Sequence, residues 1–260
     1  MMAEPPDAMP RPAATLLLLR DGAEGLEVLM TVRHEDAGFA GGALVFPGGK
    51  VDPADRALAR YCADKATFDE STLVLRIAAI RETFEECGIL LARADGALLS
   101  AELLAATLQR HGRSDAGFAA LVAAAGLDLA VDDLVPYAHW ITPVDRPKRF
   151  DTHFFLAPAA PDQIAVHDGR ETVDATWATP DAVLRDADEK RVKLVFATRM
   201  NLVKLARSRT VADALAAARS APIVTVMPVV EKTSAGPFIH IPEEAGYGAT
   251  RIAAGDIPRA

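Results

Sequence analysis

Only two cysteines, Cys62 and Cys87, occur in the 260 residues, and they form no CxxC pair. Their scarcity excludes a zinc ribbon and a secreted disulfide framework, and fits a reducing, cytoplasmic setting. Long apolar runs are missing as well. Ala13 to Leu19 is the longest early one, far short of the roughly 20 residues that a helix needs to cross a bilayer, so a soluble chain without a membrane partner is expected. Met1 to Pro12 lacks a basic stretch followed by an apolar one and reads as a frayed tail rather than a signal peptide. The six histidines are dispersed with no HxH or HxxxH spacing, which speaks against a zinc site and leaves His139 and His153 as strand residues. Neither a GxSxG elbow nor a P-loop is present. Aromatic residues make up 6% and lysines number 7 against 21 arginines. With half the residues hydrophobic, the core is expected to be aliphatic helices against a few Phe-bearing strands. A net charge of −8 disfavours nucleic acid. Planar arginine forks suit phosphate and carboxylate groups, so a small anionic ligand stays open.

Strand-length apolar runs at Ala14 to Arg20 and Leu26 to Arg33 flank the turn-rich Asp21-Gly22-Ala23-Glu24-Gly25 and predict a hairpin. A short strand at Ala43 to Phe46 is stopped by Pro47-Gly48-Gly49, where two glycines permit close backbone approach to a ligand. Asp52 to Asp69 is polar with helical stretches. Ser71 is the candidate N-cap of a helix running to Cys87 and ended by Gly88. Two further helices, Ser100 to Gly112 and Ser114 to Gly126, form an insert. Strands follow at Leu134 to Ile141, Arg149 to Leu156 and Thr172 to Trp177. A helix then starts at Thr179-Pro180-Asp181, with others at Leu194 to Ala206 and Val211 to Ala218. Ile223 to Val230 and Phe238 to Ile241 predict a terminal hairpin. This order of mixed elements points to α+β or α/β layers rather than strict alternation.

Within Ser71 to Gly88 the apolar residues Leu73, Ile77, Ile80, Phe84 and Cys87 are spaced by four and three, which makes one buried stripe. At about 100° per residue, Glu82, Glu85 and Glu86 lie about 160°, 100° and 200° around from Phe84, on the opposite face. Like charges one turn apart repel by roughly 0.2–0.5 kcal/mol per pair, and Arg81 offsets only part of this. A solvated acidic face is the plain reading. A cation is the other, and hard carboxylate oxygens suit Mg²⁺ or Mn²⁺.

Arg81-Glu82-Thr83-Phe84-Glu85-Glu86-Cys87-Gly88-Ile89, preceded by Phe46-Pro47-Gly48-Gly49, resembles the Nudix box Gx5Ex7REUxEExGU. The spacing between the halves is longer here, with 31 residues between Gly49 and Arg81 where the box has 13. Asp55 falls where the box has its first Glu, and Thr83 stands at an aliphatic position. Such an insertion resembles the Nudix motif 19 type of coenzyme A diphosphatase. Trp140-Ile141-Thr142-Pro143, Arg149-Phe150-Asp151-Thr152-His153-Phe154-Phe155, Met227-Pro228-Val229-Val230 and Ile239-His240-Ile241-Pro242 are similar to that subfamily too. Leu29 to Arg33 ahead of the Gly48-Gly49 segment is similar to a coenzyme A signature, without its second Arg.

The resemblance implies an α/β fold, a Nudix α/β/α sandwich with a mixed sheet and α-helical insertions. It implies one domain over residues 13–247, with insertions at about 52–70 and 98–130 and tails at 1–12 and 248–260. It implies Mg²⁺ or Mn²⁺ held by Glu85, Glu86 and the Gly48 carbonyl, with Glu82 as a further ligand or base, Glu85 also catalytic, and Arg81 orienting the carboxylates. Glu171, in a polar loop, would be a secondary base. Arg33, Arg149 and Gly49 would contact a small-molecule diphosphate substrate, with Arg33 able instead to pair with a carboxylate. Coenzyme A or acyl-coenzyme A leads, giving 3′,5′-ADP and 4′-phosphopantetheine. ADP-ribose, a nucleotide sugar or a dinucleotide is the runner-up, and a non-cleaving Nudix-fold sensor a third reading. A homodimer is left open.

Overall fold

The run Leu16-Leu17-Leu18-Leu19 has good helix formers throughout, yet it folds as a strand. A computed structural model describes residues 9–35, 41–62, 65–111, 117–160, 162–167, 172–234 and 236–253. In it all four leucines are fully buried within the twelve-residue first strand. Both faces of that strand are covered, so the usual alternation gives way to a continuous apolar run, and tertiary burial overrides local propensity.

In chain order the elements are β1 (Arg11–Gly22), β2 (Gly25–Arg33), β3 (Ala43–Val45), β4 (Gly48–Lys50), α1 (Glu70–Cys87), β5 (Ala92–Ala94), β6 (Ala97–Leu98), α2 (Ala101–His111), α3 (Phe118–Ala125) and β7 (Asp128–Leu129). There follow β8 (Val135–Ile141), β9 (Phe150–Pro158), β10 (Thr172–Ala178), α4 (Pro180–Asp188), β11 (Lys193–Leu194), α5 (Phe196–Leu205), α6 (Val211–Ser220), β12 (Thr225–Val226), β13 (Val229–Thr233), β14 (Gly236–His240) and β15 (Arg251–Ala253). The main sheet runs β11-β3-β2-β1-β9-β8-β12, with β10 also on β2 and β4 also on β1. It is mixed: β1 lies parallel to β9 and antiparallel to β2 and β4. Leu16, Leu18, Leu29 and Phe155 pack on one face against Leu73, Ile77, Ile80 and Phe84 of α1. On the other face Leu17, Leu19, Met30 and Trp140 pack against α4, α5 and α6 through Val183, Met200, Leu205 and Ala218. The result is the expected α/β/α sandwich. No helix among the described residues is long and apolar enough to cross a membrane.

Several expectations are corrected. The cap of α1 is Asp69, whose side chain accepts from the Thr72 N–H at 2.9 Å, while the Ser71 hydroxyl donates to Asp69 rather than capping. The segment expected to have α-helical stretches after Asp52 forms 3₁₀ turns at Pro53–Tyr61 and Lys65–Thr67. A three-stranded sheet β6-β5-β7 was not anticipated, because its strands are only two or three residues long. Backbone pairing of Cys62 with Leu129 ties the two insertions together. Burial pushes the Cys62 thiol up to about 12, in keeping with a packing role. Gly112 and Ser114 lie outside the described residues, and α3 begins at Phe118. β1 already includes Arg11 and Pro12 of the expected leading tail. β15 lies in the expected closing tail and pairs with β14. The terminal hairpin is shorter than expected: Thr225 and Val226 join β8 in the main sheet, and only residues after Pro228, which lacks an N–H, pair with β14.

Phe84 is 7% exposed, and its ring lies 5.6 Å from that of Phe118, so the helical insert rests on the acidic helix. Phe84→Ala is expected to cost about 3–5 kcal/mol in urea unfolding. An unchanged midpoint would show that Phe84 is not part of the core.

Candidate active site

The second half of α1 carries the acidic residues because the first half anchors it. Leu73, Ile77 and Ile80 fix its rotation against the sheet, and Gly88 closes it in the left-handed conformation (φ 71°), donating to the Phe84 carbonyl at 2.8 Å. Thr83 is fully buried and turns its hydroxyl back to the Ala79 carbonyl at 2.8 Å. That bond satisfies the polar atom, which is how threonine fits an apolar position.

Arg81 organises the rest. Its Nε donates to Asp55 Oδ1 at 2.7 Å and one terminal nitrogen to Asp55 Oδ2 at 3.1 Å, a two-pronged contact. The same terminal nitrogen donates to the Lys50 carbonyl at 2.9 Å. The other donates to Glu82 at 2.9 Å and Glu85 at 2.8 Å. Asp55 is fully buried, and its Oδ2 also accepts from the Asp52 N–H at 2.8 Å. Burial alone would lower the Arg81 pKa. Bonding to Asp55 and the charges of Glu82, Asp55 and Glu85 more than offset it and hold the guanidinium above its ordinary value. Arg81 is therefore a fixed cation, saturated by protein partners.

The three carboxylates differ in exposure, which helical phase alone does not show. Glu85 is 45% exposed and Glu82 13% at the side chain, while Glu86 is buried. Glu86 accepts from the Gly48 N–H at 3.3 Å, and its carbonyl accepts from the Thr172 hydroxyl at 3.1 Å. The two glycines are needed for close approach to the protein itself. A Cβ on Gly49 would stand 2.5 Å from the Glu82 carboxyl carbon, and one on Gly48 would stand 2.5 Å from the Ala14 carbonyl oxygen, at a φ of 156°. Glu82 and Glu85 share one Arg81 nitrogen and Glu86 lies against Gly48, so the side chains here offer oxygen donors only, the type that suits Mg²⁺ or Mn²⁺.

Comparison with known proteins bears on this arrangement. The family described as the NUDT19 Nudix domain matches residues 58–205, more than half of the chain. The chain belongs to the Nudix hydrolase family. A solved NUDIX hydrolase from Alicyclobacillus acidocaldarius is 30% identical with a TM-score of 0.68, covering 83% of this chain and 99% of that one. Human acyl-coenzyme A diphosphatase NUDT19 is 29% identical over 204 residues, 61% of this chain and 54% of that protein. The Xenopus laevis protein of the same name is 26% identical over 212 residues, 64% of this chain and 56% of its own. The chain thus spans about half the length of the curated relatives it matches.

Around the Nudix box the remaining candidates scatter. Arg33 ends β2 opposite Thr172, the residue bonded to Glu86, so the sheet brings it to the acidic helix. It makes no carboxylate pair among the described residues, and its Nε is buried without a hydrogen-bond partner. Arg149 donates to the Thr142 carbonyl at 3.1 Å, just ahead of β9. It lies four residues, about 13 Å along an extended strand, from His153, which is level with Ala14 and Gly49. The backbone of Arg149 therefore lies farther from the glycine segment than that of His153. Glu171 lies outside the described residues. Asp55 is the residue that sequence reasoning left out of the site; its place at the box's first Glu was the signal. Thr172 gave no signal, since only the fold sets it against Glu86.

Asp55→Asn removes the charge facing a largely buried arginine and is expected to cost about 3 kcal/mol, since breaking a buried ion pair leaves its partner uncompensated. Urea unfolding checks this. A variant as stable as the parent would mean that Asp55 does not hold Arg81.

Proposed function

We propose that this Nudix protein hydrolyses the diphosphate linkage of a nucleoside-diphosphate-linked substrate, with coenzyme A or acyl-coenzyme A as the substrate class. The observation that carries the reading is the Arg81 clamp, which gathers Glu82 and Glu85 beside Glu86 and the Gly48-Gly49 segment. A solvated acidic face would not need a buried Asp55 to fix its arginine. The names of the human and Xenopus laevis relatives support the coenzyme A class.

Glu82, Glu85 and Glu86 would hold Mg²⁺ or Mn²⁺, which supplies charge neutralisation at the diphosphate and a lowered pKa for an attacking water. Arg81 positions two of the carboxylates and takes no part in substrate binding, because its donors are engaged. Glu86, buried and bonded to Gly48, is the rigid member. Glu85, the most exposed, would meet solvent, and Glu82 would serve as a further ligand or as the base for the attacking water. Arg33, with an unpartnered Nε next to this cluster, would anchor a diphosphate oxygen. Arg149, farther along the sheet, would reach a more distant phosphate such as the 3′-phosphate of coenzyme A.

Coenzyme A, acetyl-coenzyme A, dephospho-coenzyme A, ADP-ribose and a dinucleoside polyphosphate should be incubated with the full chain and Mg²⁺ or Mn²⁺, and the products weighed. Coenzyme A is expected to give 3′,5′-ADP and 4′-phosphopantetheine. Brisk hydrolysis of ADP-ribose without cleavage of any of the three coenzyme A forms would overturn the substrate class and leave the diphosphatase reading. Glu85→Gln and Glu86→Gln should each lower turnover by about a hundredfold or more, beyond the tenfold to hundredfold typical of outer-shell changes. Their melting temperatures should stay close to the parent's, because the repulsion relieved is offset by the pairing lost with Arg81 or Gly48. Loss of a charge-assisted bond, worth about 1.5–3 kcal/mol, should raise KM by roughly tenfold to a hundredfold in Arg33→Ala on coenzyme A and dephospho-coenzyme A alike. In Arg149→Ala the rise should be confined to coenzyme A.

A further inference from the structure

We propose that His139, Asp151 and His153 form a second metal site, for a borderline divalent ion such as Zn²⁺, separate from the acidic helix. The antiparallel register of β8 and β9 sets His139 directly opposite His153, and strand periodicity sets Asp151 on the same face. The two imidazole rings stack with centroids 4.1 Å apart and planes 19° from parallel. One ligand atom from each of the three side chains lies within 4.8 Å of the other two.

The distances suit an ion. His139 Nε2 stands 2.5 Å and His153 Nε2 3.7 Å from the same Asp151 oxygen. Nitrogen and oxygen ligands about 2.0–2.2 Å from a tetrahedral ion stand about 3.3–3.6 Å apart. The two separations bracket that value; a swing of the Asp151 carboxylate evens them, and one imidazole must rotate out of the stack so that both in-plane nitrogens face the ion. A simple hydrogen bond accounts for His139 with Asp151. It does not account for His153, whose nitrogen is beyond hydrogen-bond reach of the oxygen it faces. Behind the cluster, His139 Nδ1 lies 2.8 Å from the Thr225 hydroxyl on β12. A partner on the far ring nitrogen is the usual device for fixing the rotation and tautomer of a metal-binding histidine.

Two imidazoles and one carboxylate select imidazole-binding ions over Mg²⁺, which prefers oxygen throughout. Three protein ligands leave a coordination position free, and side-chain exposures of 16%, 33% and 34% open it to water or an anionic oxygen. Across the sheet His153 is level with Ala14, and Ala14 with Gly49, so His153 lies about 10 Å, two strand spacings, from the Gly48-Gly49 segment. The proposal does not depend on the activity assigned to the acidic helix.

The test titrates the chelator-treated full chain with Zn²⁺ by calorimetry in saturating Mg²⁺, with Co²⁺ absorption as a second readout. One equivalent of Zn²⁺ is expected in the parent and in the Glu85→Gln/Glu86→Gln double variant. His153→Ala and Asp151→Asn should weaken binding at least about tenfold and abolish the rise in melting temperature that Zn²⁺ gives the parent. Thr225→Val, which touches no ligand atom, should weaken it about tenfold and covers the case in which a ligand variant fails to fold. The proposal is overturned by no Zn²⁺ binding in the parent, by equal binding in the His153, Asp151 and Thr225 variants, or by loss of binding in the glutamate double variant instead.

Discussion

The two-pronged contact between Asp55 and Arg81 is the constraint on which the acidic site depends, because carboxylates crowded onto the end of one helix repel each other unless a cation is fixed among them. Arg81 could not serve as that cation if it were free to leave for solvent. Asp55 prevents this: it is fully buried, bonded to the Asp52 backbone, and carried on a 3₁₀ turn whose Leu58 is buried in the same core as α1. The 3₁₀ turn that carries the box's first acidic position, where the insertion begins, is thus part of the site. It supplies the counter-charge that the arginine needs, and the arginine turns Glu82 and Glu85 toward one place.

The sheet does the second part of the positioning. β4 is only three residues long, yet it pairs with β1 through Gly48 and Gly49, and those glycines let the strand lie against Ala14 on one side and Glu82 on the other. The same sheet brings the end of β2 to Thr172 and so to Glu86. Helix and sheet are held at this separation by the core that Phe84 shares with Phe118 and with the strand leucines. Packing on the core side of the helix therefore sets the geometry of the carboxylates it carries.

Two donor sets of different chemistry share one face of the sheet. The acidic helix offers only oxygen, and the strand trio offers two nitrogens and one oxygen. Coordination preference separates them: a hard ion that keeps its water suits the first, and a borderline ion that accepts imidazole suits the second. The stacked rings lie level with β1 residues that sit beside the glycine segment, so the sheet register that builds the first set also places the second.

The amino-acid sequence alone determined what is local and periodic. Leu73, Ile77, Ile80 and Phe84 recur at helical spacing and fixed the phase of α1; Gly88 fixed its end; Asp21 to Gly25 fixed the first hairpin. The Nudix box was legible because its residues lie within one helix and one loop. Tertiary structure decided the rest. Whether Ser71 or Asp69 caps α1 depended on which side chain reached the free N–H groups, and the 3₁₀ turns after Asp52 depended on packing against α1. Burial of Glu86 came from β4 and β10, strands far from it in the chain. His139 and His153 carry no metal spacing along the sequence, since cross-strand neighbours are chosen by register and not by separation along the chain. Asp55 lies 26 residues before Arg81. No periodicity spans such a gap, and only the folded insertion, by burying Leu58 against α1, brings that carboxylate to the guanidinium.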